Sequence, residues 1–131
     1  MNILHLSLGI PQMRSGGLVS YAYSLAAAEA RQGHNVSLLY PGNLGIINRK
    51  SDIKQCFMQD GISIFKLWNP AFVPIPFGIE KPDLMMKKID DRIYGDFLDR
   101  IKPDLVHVHT FMGFTKELFV QVKNRQIPMV Y

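Results

Sequence analysis

The sequence predicts an α/β fold, a three-layer α/β/α sandwich with helices on both faces of a mainly parallel sheet. Three observations predict it. Residues Met1 to Pro41 run apolar strand, glycine loop, alanine-rich amphipathic segment and second apolar strand, the order of a βαβ unit. The first of those strands alternates too little for a half-exposed position and reads as covered on both faces, which is the mark of a parallel sheet. The run Asp104 to His109 then lies between two further helical segments, so the alternation of strand and helix continues. At 131 residues and 47% hydrophobic content, the chain suffices for one domain with a substantial core.

Taken in order, the first strand spans about Asn2 to Leu8. Ser15 is placed to cap a helix from about Leu18 to Gln32, in which Leu18, Ala22, Leu25, Ala26 and Glu29 recur at helical spacing. Ala26 to Ala28 permit close packing on the sheet. Gly33 ends the helix, since glycine takes the left-handed conformation just past a helix end at little cost. Asn35 to Tyr40 form the second strand.

From Pro41 to Asn48 the composition turns to Gly, Asn and Pro, marking a surface loop. Two short strands, about Gln55 to Met58 and Ile62 to Leu67, flank the turn pair Asp60-Gly61. Asn69 to Pro82 interleaves Pro70, Pro74, Pro76 and Pro82 with Phe72, Val73, Ile75 and Phe77, which dictates irregular backbone bearing apolar side chains. The simpler reading is a loop folded on its own core; the functional one is a grip for an acceptor or a lipid surface. Asp83 caps a long helix to about Lys102, with Ile89, Ile93, Phe97 and Ile101 on one stripe. Asp90, Asp91, Asp96 and Asp99 fall largely off that stripe and read as a solvated face. Pro103 stops the helix. The strand Asp104 to His109, a loop through Gly113, a helix from about Phe114 to Arg125 and a strand Pro128 to Tyr131 complete the chain.

Composition narrows the function. One cysteine, Cys56, excludes an intrachain disulfide, and the N-terminus lacks the pattern of a signal segment, so cytosolic synthesis is expected. No apolar run is long enough to span a bilayer, and any membrane contact is expected to be peripheral. The net charge of +4 suits an anionic ligand. Its basic residues are scattered and form no ladder with aromatics, which argues against nucleic acid.

The residues that carry chemistry gather at two places. Gly16 and Gly17 would open the first helix, where unpaired N–H groups and the helix dipole favour a phosphate and the missing Cβ atoms allow backbone to approach it. His109 would stand at the C-terminal end of its strand, with His107 one pleat deeper. A histidine within a central strand is most often hydrogen-bonded in the core, so His107 reads as structural.

Three stretches together resemble the N-terminal Rossmann-like half of a GT-B glycosyltransferase, of the retaining family 4 type: Ile3 to Gly17 with Ser15-Gly16-Gly17, Ala28 to Val36 reading AEARQGHNV, and Lys102 to Thr110 reading KPDLVHVHT. The resemblance implies a two-domain, metal-independent enzyme that moves a sugar from a nucleotide diphosphate sugar to a glycan, lipid or small-molecule acceptor with retained configuration. It implies that Gly16 and Gly17 lie near the donor's diphosphate and sugar and that His109, the second histidine of the family's HxH strand end, faces the interdomain cleft near the acceptor or transferred sugar as this chain's candidate catalytic residue. Together with the composition, this gives the expectation of a cytoplasmic protein, at most peripheral to the inner face of the membrane. The family's His-Asp pair beyond the fifth strand and its nucleotide-binding second domain have no counterpart in residues 1–131. The chain is therefore expected to be the N-terminal, acceptor-side domain, incomplete at its C-terminus, inactive alone and prone to self-associate through the strand Pro128 to Tyr131.

Rival readings fit less well. A nicotinamide site would want G-x-G-x-x-G after the first strand and an acid after the second, whereas the glycines are Gly9, Gly16 and Gly17 and the second strand ends in Tyr40-Pro41. A three-histidine zinc site would need His5 on the strand beside His107 and His109, as the strand order 3-2-1-4-5 allows, but no fourth ligand is evident and no metal is expected. A non-catalytic Rossmann-like nucleotide-binding or interaction module is the remaining alternative.

Overall fold

The computed structural model describes residues 1–42, 51–68 and 91–131. The loop after Gly42, the proline-rich segment Asn69 to Pro82, the Asp83 cap and Ile89 lie outside the described residues. Among those described, six strands and three helices follow one another as β1 (Asn2–Leu6), α1 (Gly17–Arg31), β2 (Asn35–Pro41), β3 (Asp52–Gln59), β4 (Ile62–Trp68), α2 (Asp91–Ile101), β5 (Leu105–Val108), α3 (Lys116–Asn124) and β6 (Met129–Val130).

One sheet holds all six strands in the order β3-β4-β2-β1-β5-β6. Every pairing is parallel except β3 with β4. That exception is the hairpin marked by Asp60-Gly61, both at positive φ, as its tight turn requires. Cys56 is skipped in the pairing between Gln55 and Phe57, a bulge that bends the edge strand. With β3 set aside as an ornament, the remaining order is the expected 3-2-1-4-5, and His5 pairs in register with His107.

The two faces of the sheet build two cores, which gives the three layers. Leu4, Leu6, Leu39, Val106 and Val108 meet Tyr94, Phe97 and Leu98 of α2 and Leu118 and Val122 of α3. On the other face Val36, Leu38, Tyr40, Ile62 and Ile64 meet Tyr23, Ala26 and Ala27 of α1. Each fully buried Leu or Ile of this kind contributes roughly 1.5–3 kcal/mol. The opposite face of α2 carries Asp91, Asp96 and Asp99, all exposed, as a solvated face should; Asp99 accepts a 2.9 Å bond from Nε of Arg125.

Two details of α1 differ from expectation. Its buried stripe is Val19, Ala22, Tyr23, Ala26 and Ala27, about one residue round from the stripe read through Leu18 and Leu25: the small alanines let the helix approach β2 and β4, the Tyr23 ring packs beside them, and Leu18 turns to solvent. Ser15 is not the cap either. Gly16 occupies that position at φ 149° with no side-chain cap bond, a conformation that glycine adopts readily and other residues do not. The end of α1 is as expected, with Gly33 at φ 93°.

Candidate functional site

Parallel strands deliver their C-terminal ends to one edge of the sheet, and ligands bind in the crevice there. Here that edge is built from the segments after β1, β2 and β5. The β1 segment is held by Ile10, buried in the α1-side core, whose carbonyl accepts from the N–H groups of Met13 and Arg14 at 3.0 Å. The β5 segment is held by Thr110, whose Oγ1 accepts from the N–H of Met112 at 3.1 Å, and by Gly113. At φ 84° Gly113 comes so close to Pro41 that a Cβ would stand 2.6 Å from the proline ring. A small cavity of about 60 Å³ opens between Leu8, Gly9, Met13, Arg14, Tyr40, Pro41 and Gly42.

Gly16 and Gly17 stand at the mouth of this edge. The first hydrogen bond of α1 runs from Ser20 N to Gly16 O, so the N–H groups of Gly17, Leu18 and Val19 have no partner within the helix. No acidic residue sits in that first turn to neutralise them. A Cβ at Gly17 would meet nothing within 4 Å, and its φ is not in the left-handed region. Neither packing nor conformation therefore demands glycine at position 17.

His109 follows β5 directly, its backbone N–H bonded to Leu6 O at 3.0 Å. Tyr21, one turn along α1 from Gly17, sets its exposed ring edge-on to the His109 imidazole with centroids 5.9 Å apart. The glycine loop and the histidine strand end, distant in sequence, thus share one end of the sheet and one face of α1.

Beneath His109 the structure places a hydrogen-bonded chain. Nδ1 of His5 lies 2.9 Å from Nε2 of His109, and Nε2 of His5 lies 2.6 Å from a carboxylate oxygen of Glu29. His107 stacks on His109 with centroids 4.2 Å apart. His5 is fully buried, and burial lowers its pKa. His109 is brought down to about 4, by burial first and then by the neighbouring His107 and His5. Both rings are therefore neutral at pH 7.

The three histidines are the set weighed as zinc ligands, and one nitrogen from each falls within 4.8 Å of the others, close enough to hold a metal ion. Their present arrangement is a different one. Rings whose planes differ by 8° with centroids 5.2 Å apart, joined nitrogen to nitrogen at 2.9 Å, lie edge to edge along a single hydrogen bond, whereas ligands of one tetrahedral ion point at a common centre between them. The hydrogen-bonded core histidine is His5 and not, as expected, His107, which is half-buried and meets its neighbours through its ring faces.

Sequence reading missed Glu29 and Tyr21 as site residues. Glu29 carried a signal: it was the one acid on an otherwise apolar helical stripe facing a strand that bears a histidine.

The family model for Glycosyltransferase Family 4 matches residues 15–131. The chain belongs to that family. No curated protein and no solved structure matches it. The matched span contains the glycine loop, α1 and the histidine strand end, and the mostly parallel six-stranded sheet is that of the Rossmann-like N-terminal domain of a GT-B glycosyltransferase. Such a domain works on a sugar donor and an acceptor. No described helix is long and apolar enough to cross a membrane.

Proposed function

We propose that this domain is the acceptor-side half of an enzyme that transfers a hexose from a nucleotide diphosphate sugar to a glycan, lipid or small-molecule acceptor with retention of configuration. The observation that carries it is the convergence of Gly17 and His109 through Tyr21 at the C-terminal edge of the sheet. The free N–H groups at the start of α1 stabilise charge on the departing diphosphate, and the open space over Gly17 admits it. His109, neutral and half-buried, accepts a hydrogen bond from a sugar hydroxyl. Tyr21 gives that sugar an apolar face. A second nucleotide-binding domain supplies the rest of the donor site and closes on this one. The reaction proceeds at the cytoplasmic face and draws on no metal.

The test is a transfer assay on the full-length protein, with a panel of nucleotide diphosphate hexoses and the product anomer read by NMR, in chelator. Transfer with retained configuration supports the reading. Donor binding without transfer to any acceptor, or an inverted product, contradicts it.

A further inference from the structure

We propose that Glu29 and His5 are positioning residues for His109: they fix it as the Nε2–H tautomer, so that its Nδ1 lone pair is the atom offered to a sugar hydroxyl. The inference rests on the reading of His109 as a residue that meets the sugar, and it adds two residues for which that reading has no role.

The argument is one of counting hydrogens. A neutral imidazole carries one N–H and one bare nitrogen. The carboxylate of Glu29 can only accept, so the hydrogen on the 2.6 Å contact belongs to Nε2 of His5. That leaves Nδ1 of His5 bare, and the 2.9 Å contact to Nε2 of His109 must then carry a hydrogen from His109. Nδ1 of His109 is bare in turn. Every step follows from the last, and the acid at the far end decides the tautomer at the near end, as second partners of functional histidines do elsewhere.

The fold makes the chain rigid. His5 and His107 are in register on neighbouring strands, His5 is completely enclosed, and Glu29 projects from α1 onto the same face. No buried side-chain nitrogen or oxygen among the described residues lacks a partner. A histidine free to flip would offer its N–H or its lone pair in turn; this one offers only the lone pair. For a group that must accept from a hydroxyl in a transition state, a fixed acceptor spares reorganisation at the moment of reaction.

The test compares wild type, Glu29→Leu and Glu29→Gln in the full-length protein by imidazole ¹⁵N NMR and steady-state kinetics. Wild type is expected to show His109 as a single Nε2–H tautomer, with a ¹⁵N–¹⁵N coupling across the hydrogen bond to His5. That measurement needs neither a variant nor activity. Glu29→Leu, which removes the acceptor but keeps the bulk, should give a mixture of His109 tautomers and a kcat about tenfold lower at unchanged donor KM. Glu29→Gln, whose amide oxygen can still accept from His5, should restore both. A wild-type His109 in the Nδ1–H form, or a tautomer and kcat indifferent to Glu29→Leu, overturns the proposal. If the tautomer shifts as described while the protein transfers no sugar, the hydrogen-bonded chain stands and the functional reading falls.

Discussion

Nδ1 of His5, in the middle of the sheet, and Nε2 of His109, at its open edge, stand 2.9 Å apart across β1 and β5. The bond joins a fully buried ring to a half-buried one, and so couples the interior of the domain to the face where a sugar would lie. His109→Ala should accordingly lower turnover roughly ten- to a hundredfold, the kinetic equivalent of losing one well-placed hydrogen bond and leaving its partner unmet. Stability should fall by less. A sharp drop in melting temperature with activity per folded molecule unchanged would make the histidine structural.

The lowered pKa of His109 gives stability a defined pH dependence. The unfolded chain binds a proton on this side chain below its ordinary value of 6.5, whereas the native state does so only below about 4. Between those values the unfolded state holds more protons, so stability is fully present above about pH 6.5 and is lost as pH falls toward 4. His5, also lowered, acts in the same direction. Urea denaturation in chelator at pH 7 and pH 5 should show the loss, and His109→Gln should shrink it; equal stability at the two pH values would contradict the assignment.

Gly16 and Gly17 should respond differently to a side chain. Gly16, at φ 149°, would be strained by any Cβ, and Gly16→Val should cost about 1–3 kcal/mol. Gly17 has open space and helical backbone, so Gly17→Val should change stability by less than about 1 kcal/mol. Equal destabilisation by the two changes, read from denaturation midpoints, would mean that position 17 is packed.

On the far side of α1 a structural link can be measured separately. The Tyr23 hydroxyl donates a 2.6 Å bond to Asp60 in the β3–β4 turn, and burial with the adjacent Asp60 carboxylate raises its pKa to about 12. Tyr23→Phe should lower stability by about 0.5–1.5 kcal/mol and leave transfer untouched. An effect on donor KM would instead tie the hairpin to the site.

Much of this fold is legible in the sequence. The βαβ start, the Asp60-Gly61 hairpin, the helix end at Gly33 and the strand that carries His107 are local signals, each set by a turn residue or an apolar period. The α1 stripe and the Ser15 cap were misread for a local reason too: with alanines and aromatics all round the helix, periodicity does not distinguish Leu18 from Val19, and Gly16 intervenes before the first turn. The Glu29–His5–His109 chain was hidden because its members come from three elements, and only the β1–β5 register brings them together. The sequence brings His5, His107 and His109 together only as possible metal ligands; the direct bond from His5 to His109 and the carboxylate behind it are properties of the folded sheet.

The most direct test of the central claim, that the glycine-opened end of α1 is where the donor's diphosphate lies, is the turnover per folded molecule of full-length Gly17→Val. A branched side chain there would fill the space left for the ligand, and turnover should fall on the order of a hundredfold or more, the loss seen when donors aimed at developing charge are displaced. Circular dichroism and melting temperature should be nearly unchanged. Wild-type turnover by a correctly folded Gly17→Val enzyme would contradict the account.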